Sequence, residues 1–132
     1  MPAIGIEPEG WAKPRGYSNG MRARGEILAI AGQIAWDAQA KLVGGDDFAA
    51  QFEQALANVV TIVRAAGGTA EDLIALTIYV IDKAEYVARL PEVGAAYRRV
   101  VGKHYPTMAL LQVSGLLEPG AKVEIQGLAV IP

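Results

Sequence analysis

One acidic residue stands where an ionised carboxylate is costly. Glu124 lies in the largely apolar segment 123–130, and such a side chain must be paired or reach a wet cleft. A carboxylate at a cleft can orient a water molecule for attack and carry a proton during hydrolysis. Glu124 is therefore the candidate catalytic residue, and exposure on the outward face of a strand is the alternative interpretation.

The other candidate nucleophiles and ligands form no catalytic motif. The chain has no cysteine, which excludes disulfides, thiol nucleophiles, cysteine-ligated zinc and iron–sulfur clusters. His104, the single histidine, and the two serines, Ser18 and Ser114, lie in no triad motif. Gly44-Gly45 and Gly67-Gly68 lack the signature of a phosphate-binding loop. We interpret His104 as a loop residue and expect neither a metal site nor a cofactor.

Aromatic and basic side chains offer surfaces for a ligand. Tyr17 and Trp36 can each line a cleft, although core or interface packing is the alternative for Trp36. The basic residues of segment 98–104 suit either the dipole at a helix end or a bound anion. With 12 basic and 14 acidic residues and no dense basic cluster, we expect no nucleic-acid partner.

Periodicity and turn signals predict the elements that must position these residues. They are strands at 17–22 and 26–33, a helix at 47–66, a strand at 72–80, a turn at 83–88, a helix at 90–101, and strands at 108–114 and 122–131. The first two strands form a predicted hairpin that turns near Gly25, after an irregular segment 1–16. The order ββαβαββ indicates a single α+β domain, 1–132, with two helices on one face of a mixed sheet.

The two predicted helices have clear boundaries. Apolar residues recur at spacings of three and four in the first helix, which Asp46 or Asp47 caps and Gly67-Gly68 ends. Pro91 cannot lie inside a continuous helix, so a short turn precedes the helix that begins near Leu90.

No predicted element packs on the face of the sheet opposite the two helices. Strand 72–80 directs its even-numbered residues towards the helices, which leaves Leu73, Ala75 and Tyr79 on the other face. The chain is also rich in hydrophobic residues, at 52%, with a mean hydropathy of +0.25. Self-association is the economical way to cover such a face. Without an apolar signal-peptide core or a long apolar run, we expect a cytoplasmic protein and no membrane partner.

Several segments, in this order and spacing, resemble the Rid (YjgF-type) family over nearly the whole chain. The matching pieces are Gly16-Tyr17-Ser18, Ala31-Gly32-Gln33-Ile34, and the segments 54–59, 76–80 and 123–125. The resemblance implies a chorismate-mutase-like fold and a barrel-like homotrimer with a small-molecule cleft at each subunit interface.

The resemblance also implies an enzymatic activity, and this sequence differs from the family motif that supports that activity. Active deaminases of the family hydrolyse 2-imino acids or their enamine tautomers, and an arginine in a Pro-Ala-Arg-Ser-like motif binds the substrate carboxylate. Here the motif reads Pro106-Thr107-Met108-Ala109, so Met108 stands at the arginine position and provides no charge.

Other positions keep the family pattern. Glu124 aligns with the acidic residue that orients water or the leaving nitrogen, Tyr17 with a cleft tyrosine, and Ala31-Gly32 with backbone that binds a carboxyl or carbonyl group. Arg15 is the nearest basic candidate for a substitute anchor. Met108, with Trp36 or Leu110 nearby, would make the pocket more apolar and suit a larger or aromatic-derived ligand.

Three functions compete on these grounds. The leading hypothesis is an arginine-lacking Rid-family hydrolase of an imine or enamine other than a simple 2-imino acid. The alternative is a non-catalytic trimer that binds a metabolite or a partner protein at the same cleft, which Met108 favours and Glu124 disfavours. The acidic pI near 5.4, the single histidine and the absence of a basic patch weigh against an endoribonuclease.

Overall fold

A computed structural model describes residues 2–132 as a four-stranded mixed sheet with its helices on one face and a small separate hairpin. The elements are β1 (Ile4–Ile6), β2 (Gly20–Arg22), β3 (Glu26–Gln33), α1 (Phe48–Ala65), β4 (Leu73–Val80), α2 (Lys83–Ala88), α3 (Leu90–Val100), β5 (Thr107–Gln112) and β6 (Val123–Ile131). This is the α+β class that the sequence predicts.

The strand order of the main sheet is β3-β6-β4-β5. The β4–β5 pair is parallel, whereas β6 runs antiparallel to both β3 and β4. A parallel pair needs a crossover connection, and α2 and α3 provide it. The crossover leaves β5 at one edge of the sheet, where its residues border the helices.

The helix predicted at 47–66 is confirmed as α1. Asp47 is its N-cap, and the carboxylate accepts a hydrogen bond from the Ala50 backbone N–H at 3.2 Å. Its apolar stripe, which includes Phe48, Phe52 and Leu56, is buried against the sheet. Burial of this stripe is the main source of stability for an amphipathic helix.

The predicted break before the second long helix is also confirmed. Asp82 caps α2 by accepting hydrogen bonds from the backbone N–H groups of Ala84 and Glu85. Pro91 lies in the first turn of α3, where its missing N–H costs little. The segment expected to be a turn at 83–88 is a full helical segment, α2.

The predicted hairpin between 17–22 and 26–33 is wrong. Strand β2 covers only Gly20–Arg22 and pairs with β1, which lies inside the segment expected to be irregular. The chain comes very close to the end of β6 at Gly25, where φ is +149° and a Cβ would lie 2.0 Å from the Ile131 carbonyl oxygen. The chain therefore turns at Gly25 to place β3 beside β6, and the order ββαβαββ becomes βββαβααββ.

The prediction that Leu73 lies on the open face is wrong. The β4–β6 register shifts between Leu73 and Ala75, so Leu73 turns towards the helices and is fully buried. Beyond this irregularity the predicted alternation holds, with Leu76, Ile78 and Val80 buried.

The face opposite the helices, here called the open face, carries exposed apolar residues. Ile27 of β3 is 76% exposed and Leu111 of β5 is 45% exposed. Tyr79 lies between them on β4, where its hydroxyl donates a hydrogen bond to Gln126 Oε1 at 3.3 Å. Among residues 2–132, no helix has the length and apolar character that crossing a membrane requires.

Candidate functional site

Apart from Trp36, the predicted site residues fall into two groups on opposite sides of the sheet. Met108 pairs in register with Leu76, which faces the helices, and packs against the core. Glu124 pairs in register with Tyr79, which lies on the open face. Registered neighbours project to the same side of a sheet, so the Met108 and Glu124 side chains point away from each other.

The first group lines a cavity of about 530 Å³ between β5 and the helices α2 and α3. This helix-side cavity brings together Arg15, Tyr17 and Met108, which the sequence places almost a hundred positions apart. Leu110, the expected neighbour of Met108, lines it as well. The volume suits a small-molecule ligand rather than a single water or ion.

Two hydrogen bonds from Ser18 hold the loop that carries Tyr17 against the segment just before β5. The Ser18 N–H donates to the Pro106 carbonyl at 3.2 Å, and the Ser18 hydroxyl donates to the Tyr105 carbonyl at 2.6 Å. Tyr17 is thereby fixed at the cavity mouth, where the residue is 43% exposed. Ser18, which belongs to no catalytic triad motif, is thus a residue that positions Tyr17.

Aromatic rings form much of the cavity wall. Tyr97 and Tyr105 stack with ring centroids 5.4 Å apart and planes inclined by 10°. The Tyr97 hydroxyl donates to the His104 carbonyl at 2.6 Å, and burial raises the pKa of Tyr97 well above its ordinary value. Burial likewise raises the pKa of Tyr86. These phenols are therefore neutral at physiological pH.

The second group joins Glu124 to the Ala31-Gly32 backbone. The β3–β6 register shifts between Ile30 and Gln33, so Ala31 and Gly32 lie at a bulge outside the regular ladder. A Cβ added to Gly32 would lie 2.2 Å from Glu124 Oε2, so the carboxylate rests directly against the glycine backbone. Glu124 is half-buried, which keeps its carboxylate within reach of water and of a ligand.

Trp36 lies outside both groups. It follows β3 in a loop, and its Nε1 lies at the 3.5 Å limit of a hydrogen bond to Gln33 Oε1. Asn58 of α1 holds this loop by donating through Nδ2 to the carbonyls of Trp36 at 2.8 Å and Ile34 at 3.1 Å. The arrangement is typical of packing between a loop and a helix rather than of a cavity wall.

The basic residues of segment 98–104 separate in the fold. Arg98 lines the helix-side cavity, whereas Arg99 forms an ion pair with Glu53 of α1. His104 lies in the loop before β5, and its Nε2–H donates to the Leu73 carbonyl at 2.7 Å, because a carbonyl oxygen only accepts. Over the described part of the chain, no three acidic or histidine side chains converge on a potential metal position.

The sequence and the fold are both similar to those of known proteins. Residues 11–131 match the family model described as Endoribonuclease L-PSP. A RutC family protein of Pyrococcus horikoshii is 34% identical over 125 residues, with 94% of each chain covered. The structure of the conserved Rid-family protein YyfB of Yersinia pestis superposes with a TM-score of 0.85 at 34% identity, and 99% of this chain and 100% of that chain are covered.

A second structure extends the likeness at lower similarity. The YjgF gene product of E. coli superposes with a TM-score of 0.66 at 29% identity, and 86% of this chain and 87% of that chain are covered. The region that matches the family model, residues 11–131, includes both groups of candidate residues. The chain therefore belongs to the Rid (YjgF-type) family, as its sequence motifs predict.

Proposed function

We propose that the chain is a hydrolase of an imine or enamine intermediate, with a site completed between the subunits of a homotrimer. The observation that carries this proposal is the division of the candidate residues between two faces of one sheet. Strand β4 separates β5 from β6, and Met108 and Glu124 pair with β4 residues three positions apart, so their backbones lie roughly 14 Å apart and their side chains then diverge. One small substrate cannot contact both side chains within a single chain.

A second subunit can bring the two groups of candidate residues together. If the open face of one subunit covers the edge strand β5 of its neighbour, the Glu124 carboxylate faces the neighbour's helix-side cavity. The same contact covers the exposed Ile27 or Leu111 side chains, which a lone chain leaves in water. A cyclic head-to-tail arrangement of this kind closes into a ring, which fits the homotrimer that the family resemblance implies.

The hydrolysis balances with the groups present. Water adds to the carbon of the C=N bond while the Glu124 carboxylate accepts one of its protons. That proton passes to the nitrogen and gives the tetrahedral carbinolamine. The carboxylate then transfers the proton of the new hydroxyl to the amine, the C–N bond breaks, and ammonia leaves a carbonyl product. The Ala31-Gly32 bulge offers backbone to the carbonyl or carboxyl end of the substrate, and Tyr17 closes the cavity mouth.

Met108 sets the substrate apart from small 2-imino acids. The thioether packs against the core and brings no positive charge to the cavity. A small acid would lose its carboxylate anchor there, whereas a larger apolar substrate gains contact with Met108 and Leu110. Arg15 is the substitute anchor that the sequence suggests, and it lines the same cavity.

The competing function is a non-catalytic trimer that binds a small metabolite or a partner at this cleft. Met108 favours it, because the family's anchoring charge is absent. The Glu124–Gly32 contact argues against it, since a binding protein has no need to hold a carboxylate over an open bulge. Under either function we propose a cytoplasmic protein that acts without nucleic acid, membrane, metal or cofactor.

Ammonia release from 2-imino acids generated in situ, with bulky apolar side chains beside small ones, tests the proposal. Wild type is compared with Glu124→Gln and with Glu118→Gln, a control in the exposed loop before β6. We expect turnover that Glu124→Gln removes and Glu118→Gln retains. Absence of turnover on every imine in wild type, with ligand affinity unchanged in Glu124→Gln, would support the binding function instead.

A further inference from the structure

Two guanidinium groups of the helix-side cavity have no carboxylate partner among residues 2–132. The ion pairs formed by residues 2–132 join Arg89 to Asp47 and Glu92, Arg99 to Glu53, and Lys122 to Glu85. Neither Arg15 nor Arg98 takes part, although both line the cavity. Arg98 and Arg99 are neighbours on α3, so only the residue facing α1 is neutralised.

The Arg98 guanidinium is held at the cavity wall. A Cβ placed on Gly94 would lie 3.5 Å from Arg98 Nη1, so the side chain runs back along α3 over the preceding turn. Gly94 also lines the cavity, and its missing side chain leaves room beside the guanidinium. The positive charge of the exposed Arg98 side chain is therefore presented at the open edge of the cavity.

The rest of the lining offers nothing to neutralise these charges. No aspartate or glutamate of the described chain lines the cavity, and the phenols of Tyr86 and Tyr97 are neutral. Most of the wall is aromatic or aliphatic, with Met108 and Leu110 on the floor formed by β5. The cavity thus combines an apolar interior with an excess of positive charge at one side.

We propose that the helix-side cavity binds monocarboxylates that carry a bulky, preferably aromatic group, with Arg98 and Arg15 holding the carboxylate. An arginine fork matches a carboxylate in a bidentate geometry, and the ring fills space against Tyr97, Tyr105 and Met108. The volume of about 530 Å³ exceeds what acetate or pyruvate can fill. That the bound acid is a substrate or product rests on the proposed function, whereas its binding does not.

Isothermal titration calorimetry with three matched probes tests this inference. Phenylacetate carries the ring and the charge, acetate carries only the charge, and 2-phenylacetamide carries only the ring. We expect phenylacetate to bind at least roughly tenfold more tightly than either of the others. Its affinity should weaken as the salt concentration rises, since both guanidiniums are exposed.

Two variants on the same helix locate the anchor. Arg98→Gln should weaken phenylacetate about tenfold and leave 2-phenylacetamide unchanged, and Arg15→Gln should act in the same direction. Arg99→Gln removes an equal charge outside the cavity lining and should leave phenylacetate binding at the wild-type level. Glutamine is a good helix former, so α3 remains intact in both α3 variants.

The outcomes separate this inference from the proposed hydrolysis. Equal affinities for phenylacetate and acetate, or equal losses in Arg98→Gln and Arg99→Gln, would overturn the assignment of the anchor. Tight, Arg98-dependent binding by a wild type that hydrolyses no imine would uphold the binding site and reject the hydrolase.

Discussion

Glu124 and Gly32 touch so closely that no side chain fits between them: a Cβ on Gly32 would lie 2.2 Å from Glu124 Oε2. The φ angle of Gly32 is one that other residues adopt, so space rather than backbone conformation requires the glycine. The orientation of the carboxylate therefore depends on the residue opposite it.

Gly32→Ala should displace the Glu124 carboxylate and lower kcat/KM for imine hydrolysis by roughly 10- to 100-fold. The fold should survive, because the carboxylate can swing towards water. Gly115→Ala is the matched control, since a Cβ there meets nothing within 4 Å. Unchanged steady-state kinetics in Gly32→Ala would show that the position of this carboxylate does not matter for turnover.

Met108→Arg should restore the charge that the family motif contains and raise kcat/KM for small 2-imino acids by about tenfold or more. Met108→Leu keeps the apolar volume and should leave small acids as poor as in wild type. Ammonia release measures both variants. A well-folded Met108→Arg oligomer without any gain would contradict the placement of the cleft at Met108.

Gln51→Leu should lower the free energy of unfolding by about 2–4 kcal/mol. Gln51 is fully buried in α1, where Nε2 donates to the carbonyls of Gly45 and Gly120 and Oε1 accepts from the Lys122 N–H. Leucine would leave these three backbone groups without a partner. Urea unfolding at one protein concentration checks this, with the exposed loop change Gln39→Leu as control.

The cap of α1 should make stability sensitive to acid. The Ala50 backbone N–H, followed by Arg89, lowers the pKa of Asp47 below its ordinary value of 3.8. A lowered pKa in the folded state adds stability that is present above pH 3.8 and is lost as the pH falls through the folded value. Asp47→Ser keeps a capping oxygen without the titration.

Urea midpoints measured from pH 6 to pH 2.5 should therefore fall less steeply for Asp47→Ser than for wild type. Identical slopes would mean that other carboxylates account for the acid sensitivity of the chain.

Local sequence signals predict the helices well and the strand pairing poorly. The apolar spacing of α1 and the position of Pro91 depend only on neighbouring residues, and both predictions are confirmed. The chain pairs β2 with β1 and places β3 beside β6, where Gly25 approaches Ile131 from far along the sequence. No local pattern encodes such a contact.

The same limit applies to the candidate site. Sequence motifs single out Glu124, Gly32, Tyr17 and Met108, but the faces on which they lie follow from strand register. The bulge that turns Leu73 inward has no signature of its own in the alternating segment. The helical periodicity of α3 likewise leaves open whether Arg98 or Arg99 reaches the cavity.

The opposite orientation of Met108 and Glu124 makes genetic complementation possible under the proposed function. A chain with a mutated helix-side cavity still provides a functional Glu124 to the neighbouring subunit. A chain with a mutated Glu124 still provides a functional cavity. Random co-assembly of two such inactive chains in equal amounts leaves about one interface in four with both halves intact. Each mutant homo-oligomer alone is inactive, whereas the co-assembled mixture has about a quarter of the wild-type rate of hydrolysis.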